Sequence, residues 1–318
     1  MSVLRPRRRL AVERRLETNW PWRLGVLAVA LALCVAVTAA LFWLAGADAG
    51  RGFRALAEGG FGSWRAVAET LVKATPLIFT GLATAVAFRA RIWNIGAEGQ
   101  LFAGAMAAYW ASRAVQGLPS AVQLPVILVA GAAGGAAFGG LAAVLKTRFR
   151  VDEIISTVLL NYIILFVLSY LLLTGPWSEP GSVYQQTAKF DPAARLPRLF
   201  DHARLHLGFP LALTAALGLH VLLRRTTLGL DIRAFGSNPV TSLFKGINPD
   251  RMVLIVFLIS GALAGLAGVG EAFGIHYRLR ADISIGFGYT GIIVAILGGL
   301  HPLGVVVAAI LFGGLVNA

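Results

Sequence analysis

The chain has 318 residues, of which 57% are hydrophobic and only 14% are charged, and its mean hydropathy is +0.75. Soluble proteins carry about 25% charged residues, so the composition excludes a pair of ordinary soluble domains and indicates an integral membrane protein. The net charge of +13 could also indicate a nucleic-acid-binding protein, and the single cysteine, Cys34, excludes an intrachain disulfide.

The first 23 residues form a basic arm ahead of an apolar segment at about 24–44. The sequence at 47–49 resembles a signal-peptide cleavage site, but the apolar run is longer than the roughly 7–15 residues of a signal peptide. We therefore predict an uncleaved first helix. Because no aromatic residue precedes Trp20 to stack on bases, we interpret residues 1–23 as a cytoplasmic arm beside anionic lipid, without a nucleic-acid partner.

Eight further apolar segments follow the first. They lie at about 71–88, 101–112, 122–145, 154–174, 207–223, 252–270, 286–300 and 303–318. About 20 apolar residues are needed to cross a bilayer, so we predict an all-α polytopic bundle of about 8–10 transmembrane helices. Segment 101–112 is too short to cross unaided, which indicates a discontinuous or re-entrant element.

The whole of residues 24–318 is predicted to be one transmembrane domain. Lys and Arg are more frequent in the loops on the N-terminal side of the membrane, which predicts a cytoplasmic N-terminus. Two segments have glycines at every fourth position, at 131, 135 and 139 and at 261 and 265. Small residues at this spacing let helices approach closely in lipid, and they predict a tightly packed bundle.

Residues 91–100 combine polar side chains with two glycines, Gly96 and Gly99, which are expected to break or bend a helix. Asn94, Glu98 and Gln100 would be costly in contact with lipid, so they should face protein or water. One hypothesis is a discontinuous element that borders a transport pathway, with these three residues and Trp93 beside the solute. The alternative is a cytoplasmic turn that Asn94 and Glu98 hold together for structural reasons.

Residues 152–162 are predicted to open a helix at the cytoplasmic side. Asp152 and Glu153 would lie in its first turn, where acidic side chains suit the positive end of the helix dipole. Thr157 and Asn161 are four residues apart and share a face. They are expected to bond a neighbouring helix or to line the pathway.

The longest cytoplasmic loop is predicted at 224–251. Within it, Asn238-Pro239 starts a turn or helix. Val240, Leu243, Phe244 and Ile247 then recur at helical spacing and predict a short amphipathic helix. Its apolar face needs a partner, which is either the membrane surface or another protein.

Several other functional classes find no support in the motifs. The run at 286–291 matches G-x-G-x-x-G, but no acidic residue follows it as a dinucleotide site requires. None of the four lysines lies in a P-loop. His202 and His206 are four apart, but no third ligand is evident, so we expect no metal site.

Four segments carry a resemblance to a known family, the permease subunits of bacterial ABC importers. They are Trp93–Gln100, Asp152–Tyr162, Thr227–Pro239 and Gly291–Gly299. The resemblance is to the branched-chain amino acid/ribose-type superfamily, and within it to the nucleoside and simple-sugar branch, whose members depend on a basic membrane protein. It covers the chain from about residue 70 to its end.

The resemblance implies a non-catalytic subunit of the bacterial cytoplasmic membrane that moves a nucleoside or related sugar-bearing solute by alternating access. Its implied partners are an ABC ATP-binding subunit, a second homologous permease in a heterodimer, and an extracytoplasmic substrate-binding lipoprotein. No cofactor is expected in this chain, because the partner uses ATP and Mg²⁺. The residues implied to couple to the ATPase are Gly229, Arg233, Gly236, Asn238, Pro239, Phe244 and Gly246. The alternative function is a secondary transporter coupled to protons through Glu98.

Overall fold

The computed structural model describes residues 20–318, and within that range it contains helices and two isolated β-bridges but no strand. The helices are α1 Trp20–Leu44, α2 Ala49–Phe61, α3 Trp64–Arg89, α4 Ala97–Ala114, α5 Ser120–Phe149, α6 Glu153–Leu173, α7 Gly208–Arg225, α8 Thr227–Ser237, α9 Pro239–Phe244, α10 Pro249–Val269, α11 Phe287–Leu297 and α12 Pro302–Asn317. A π-helix over Gly270–His276 continues α10, and Pro192–Ala194 form one 3₁₀ turn. The predicted all-α class is confirmed.

Residues 20–55 and residues 56–318 belong to separate compact units. In the first unit, the N–H of Arg51 donates to Asp48 Oδ1 at 2.7 Å as α2 begins. The rings of Phe42 and Phe53 pack edge to face with centroids 5.8 Å apart. Residues 1–19 of the predicted basic arm lie outside the described residues, so its interpretation stays a prediction.

Four helices in the described range are long and apolar enough to cross a bilayer: α3, α5, α6, and α10 with its π-helical continuation. The pair Ala28–Leu44 and α2 counts as a fifth if it is taken as one bent span. Helices α11 and α12 are shorter apolar helices, whereas α4 and α7 have 18 residues each. The multi-pass membrane architecture is therefore confirmed, while the number of about 8–10 crossings stays a prediction.

Helices α3 and α4 begin earlier than their apolar segments predicted. Helix α3 begins at Trp64 because Ser63 caps it, with Ser63 Oγ accepting the N–H of Ala66 at 3.1 Å. Helix α4 begins at Ala97, so its first turn contains Glu98 and Gln100. Neighbouring helices bury both side chains, which allows these polar residues to lie within the helix. The segment predicted to be too short is thus an 18-residue helix.

The predicted close packing at glycines occurs between α5 and α10. A Cβ atom on Gly135 would overlap the carbonyl oxygen of Gly261, and one on Gly265 would overlap that of Gly131. The two backbones therefore touch without a side chain between them. Around this contact lies the main core, whose largest fully buried side chains include Phe79, Phe102, Phe257 and Phe273.

Candidate functional site

The chain reverses direction between α3 and α4. After α3 ends at Arg89, the N–H of Ile92 folds back and donates to Ala87 O at 3.0 Å. Arg91 has a left-handed φ of 54°, a conformation that commonly ends a helix. The stretch from Arg91 to Gly96 is therefore a tight turn that leads directly into the first turn of α4.

Asn94 holds this turn together from inside the protein, where its side chain is 1% exposed. It pairs with Gln100 through two amide hydrogen bonds of 3.1 and 3.2 Å, and its Oδ1 also accepts the N–H of Gly96 at 2.9 Å. Asn94 Nδ2 donates to Ser260 Oγ at 2.9 Å, and Ser260 in turn donates to Ala83 O at 2.8 Å. The turn is thereby bonded to both α10 and α3.

Glu98 joins α4 to α11. Its side chain is 4% exposed, and Oε2 accepts the backbone N–H of Gly288 at 2.6 Å. Gly288 lies in the first turn of α11, where a carboxylate satisfies a free N–H and suits the helix dipole. A Cβ on Gly288 would overlap the backbone of Glu98, so only glycine lets the two helices come this close.

Asn161 and Thr157 attach α6 to the same turn. Asn161 Oδ1 accepts the N–H of Gly99 at 2.8 Å, and its Nδ2 donates to Ile95 O at 3.0 Å and to the Tyr289 hydroxyl at 3.1 Å. Thr157 Oγ1 accepts the N–H of Ile95 at 3.3 Å. The predicted bonding to a neighbouring helix is confirmed for Asn161, which reaches α4 and α11, whereas Thr157 bonds the turn that precedes α4.

Gly99 does not break α4, contrary to the prediction. Its N–H is one of the unpaired donors of the first helical turn, and the Asn161 side chain from α6 satisfies it. A Cβ on Gly99 would lie 2.7 Å from Asn161 Oδ1. Glycine is present here because α6 approaches closely, rather than because the helix is interrupted.

Asp152 and Glu153 occupy the predicted positions at the start of α6. Asp152 caps the helix, with Oδ1 accepting the N–H groups of Ile154 and Ile155 at 2.9 and 3.2 Å. Glu153 forms a close ion pair with Lys146 at the end of α5. Both acidic residues therefore have structural roles that organise the α5–α6 connection.

Trp93 differs from the other five predicted pathway residues. It is 50% exposed, and its ring packs edge to face against Phe88 with centroids 4.7 Å apart. Asn94, Glu98, Gln100, Thr157 and Asn161 are at most 4% exposed and bonded to protein groups. In this conformation Trp93 alone of the six presents a substantial surface to a solute, and the pathway role of the set stays a prediction.

The sequence reading missed three members of this network: Ser260, Gly288 and Tyr289. Ser260 is a polar residue within the apolar segment 252–270, and that contrast is a signal that could have found it. Gly288 and Tyr289 lie in the G-x-G-x-x-G run that was rejected as a nucleotide site. Their contacts come from distant parts of the chain and have no local signature.

Two glycines position α8 within the predicted coupling loop. A Cβ on Gly229 would overlap the backbone of α7 at Leu222, and one on Gly236 would overlap the carbonyl oxygen of Arg89 at the end of α3. Arg233, between them, donates from Nε to Gly229 O at 3.2 Å. Helix α8 is thus packed directly on the end of α3. Helix α3 leads into the turn from Arg91 to Gly96, called here the Asn94 turn.

Asn238 and Pro239 start α9 as predicted. Asn238 Oδ1 accepts the N–H groups of Val240 and Thr241 at 3.0 and 3.1 Å, and Pro239 occupies the first helical position. The helix ends at Phe244, and Gly246 follows with a left-handed φ of 78°.

The predicted extension of this helix to Ile247 is wrong. Ile247 lies beyond the left-handed Gly246 and packs, half-buried, against the core. The exposed apolar face of α9 consists of Val240, Leu243 and Phe244, which are 64%, 54% and 88% exposed. Nothing in the described chain covers this face.

No group of three His, Cys, Asp or Glu side chains within residues 20–318 is arranged to hold a metal ion. His202 is exposed, whereas His206 is buried with Nδ1 accepting the N–H of Gly208 at 3.0 Å. Burial lowers the pKa of His206 to about 4.

Most of the chain is similar to known proteins. A family model described as "Branched-chain amino acid transport system / permease component" matches residues 66–318. No solved structure matches the chain.

Three relatives are similar over most of the chain. The guanosine ABC transporter permease protein of Bacillus subtilis is 38% identical over 291 residues, which cover 90% of this chain and 83% of that protein. The glucose ABC transporter permease protein of Haloferax volcanii is 36% identical over 254 residues, 77% of this chain and 66% of that protein. The nucleoside ABC transporter permease protein of Lactococcus lactis is 32% identical over 270 residues, 82% of this chain and 74% of that protein.

Proposed function

The chain belongs to the family of branched-chain amino acid transport system permease components, and from this we propose that it carries a nucleoside, or a related sugar-bearing solute, through the membrane as the permease subunit of an ABC importer. The similarity to a guanosine permease over 90% of the chain carries the proposal. A nucleoside permease is also among the relatives. The similarity extends across the bundle and is not confined to one motif.

The contacts of α8 and α9 support a route for coupling. The apolar face of α9 is exposed and suits docking to an ABC ATP-binding subunit, with Phe244 as its most exposed side chain. Helix α8 connects this face to α3 through the contact of Gly236 with Arg89. Because the Asn94 turn follows α3, closure of the ATPase would move this turn. The hydrogen bonds that join it to α4, α6, α10 and α11 would then change, and the helices would switch between two packings.

The other partners are a second homologous permease, in a heterodimer, and an extracytoplasmic lipoprotein that delivers the solute. ATP and Mg²⁺ act in the ATP-binding subunit, since no lysine of this chain lies in a P-loop. This chain is therefore a non-catalytic subunit. Its location is the bacterial cytoplasmic membrane, with the basic N-terminus in the cytoplasm.

Reconstitution tests the proposal. The chain is placed in proteoliposomes with its ATP-binding subunit, second permease and binding protein, and uptake of radiolabelled guanosine, uridine and glucose is measured. We expect nucleoside uptake that requires hydrolysable ATP. Uptake of glucose without any nucleoside would contradict the substrate class, and uptake by this chain alone, driven by a proton gradient, would contradict the ATP-driven mechanism.

A further inference from the structure

A group of basic side chains gathers where α3 and α7 end. The following five residues are called the basic cluster: Arg89, His220, Arg224, Arg233 and His301. Arg224 Nη2 lies 3.4 Å from His301 Nε2, and the rings of His220 and His301 are 5.0 Å apart. Arg89 Nε donates to the carbonyl oxygen of Leu300, the residue before His301, at 3.2 Å.

The positive charge of this cluster is not neutralised by the protein. Within residues 20–318 none of the five side chains forms an ion pair with Asp or Glu. The charged groups that act on Arg89 are Arg233 and Arg224, and both repel it. Burial, and after it electrostatic repulsion from the neighbouring basic side chains, holds the pKa of His301 below its ordinary value. Like charges held together in this way attract an anion.

A buried polar atom points to the same conclusion. Nδ1 of His220 is shielded from solvent and has no hydrogen-bond partner in the described part of the chain. Buried polar atoms in folded proteins are normally bonded to protein, water or a ligand. The His220 ring contacts that of His301, so this atom belongs to the basic cluster.

An apolar groove of about 370 Å³ lies beside the cluster. It is lined by Phe88, Trp93, Ile296 and Leu300 together with Arg91. Leu300 connects the two features, because its side chain lines the groove while its carbonyl oxygen bonds to the basic cluster. Trp93 and Ile296 are 50% and 59% exposed, so the groove is open to the surroundings of the bundle.

We propose that the basic cluster and the groove form one binding site for an anionic phospholipid of the cytoplasmic leaflet. The cluster binds the headgroup phosphate, and the groove holds part of an acyl chain. The distribution of Lys and Arg predicts that this end of the bundle is cytoplasmic, where the lipid surface is negative. Free phosphate would match the cluster but not the groove. A zwitterionic headgroup carries a positive charge of its own, which the arginines would repel.

The position of the site gives it a consequence for coupling. Arg89, whose side chain belongs to the cluster, contacts Gly236 of α8 through its carbonyl oxygen. A bound lipid therefore stabilises the packing of α8 on α3. This consequence rests on the proposed function, whereas lipid binding itself does not.

Native mass spectrometry of the purified chain tests the site with added phosphatidylglycerol or phosphatidylcholine. Arg224→Gln removes a charge of the cluster, and Arg225→Gln removes an exposed charge that is next to it in sequence but has no contact with the cluster. We expect wild-type protein to retain phosphatidylglycerol in preference to phosphatidylcholine. Arg224→Gln should lower that retention about five-fold, and Arg225→Gln should behave as wild type.

Tryptophan quenching gives a second measurement that needs no cluster variant. Brominated phosphatidylglycerol should quench wild-type fluorescence more than brominated phosphatidylcholine does, and Trp93→Phe should remove that difference. Equal retention and quenching by the two lipids would overturn the proposal. So would equal losses of phosphatidylglycerol retention in the Arg224→Gln and Arg225→Gln variants.

Discussion

The carboxylate of Glu98 accepts a 2.6 Å hydrogen bond from the backbone N–H of Gly288, which ties the first turn of α4 to the first turn of α11. The two residues are 190 positions apart in the sequence. Both groups are shielded from water, so the N–H of Gly288 depends on this carboxylate to satisfy its hydrogen-bonding capacity.

The loss of stability on replacing Glu98 should depend on whether the new side chain keeps a hydrogen-bond acceptor. Glu98→Leu leaves the N–H of Gly288 unpaired, and we expect the free energy of unfolding to fall by about 1–3 kcal/mol. Glu98→Gln keeps an acceptor oxygen and should lose less. Thermal unfolding in detergent measures both, with Asp282→Asn as the control because that carboxylate is exposed. Equal losses in Gln and Leu would show that the charge, and not the bond, is what matters.

Gly288→Ala should destabilise the protein although it adds only one methyl group. The added Cβ would overlap the backbone of Glu98, so α11 must move away from α4. We expect a loss of roughly 1–3 kcal/mol, as for other overpacked sites, together with loss of transport. Gly218→Ala is the matched control, since open space surrounds that position in α7. An unchanged melting temperature in Gly288→Ala would contradict the close contact.

Phe244→Ala should separate assembly from folding. The side chain is 88% exposed at the end of α9, so its removal should change the melting temperature of the isolated chain very little. If α9 docks into the ATP-binding subunit, affinity for that subunit should fall by about ten-fold or more, as at an aromatic hot spot. Leu217→Ala on α7, 57% exposed, is the control. Unchanged affinity in a pull-down titration would assign α9 to the membrane surface.

Acidification should destabilise the protein through His206. Its pKa is about 4 in the folded chain, against an ordinary value of 6.5, so between these values the unfolded state binds a proton that the folded state does not. Stability should therefore decrease as the pH falls from about 6.5 to 4, by about 3 kcal/mol in total, and this contribution should not grow further below pH 4. Unfolding measured across this range should show a flatter profile for His206→Asn than for wild type or the exposed-site control His202→Asn.

The sequence predicted that the polar residues of the α3–α4 region are kept away from lipid. It did not predict which residues they bond to. Membrane energetics required Asn94, Glu98 and Gln100 to avoid lipid, and all three are buried in protein. The bond from Asn94 to Ser260 spans 166 positions. No local pattern encodes such a pair, because it depends on how α10 packs against the turn.

Local capping chemistry was predictable where the partner is nearby in sequence. Asp152 and Asn238 begin helices as expected, because each cap bonds N–H groups two or three residues later. Gly99 was predicted wrongly, because its N–H is satisfied by a side chain from another helix. The end of α9 was also wrong, because helical spacing alone does not show that Gly246 adopts a left-handed φ.

The direct backbone contact of α5 with α10 limits how the bundle can change shape. Sliding one helix along the other would drive Gly135 into Gly261, or Gly131 into Gly265, and no side chain lies between them to change rotamer and absorb the movement. These two helices must therefore travel as one rigid body. Any opening of a passage for solute has to occur along their outer boundaries, where side chains separate them from the rest of the transporter.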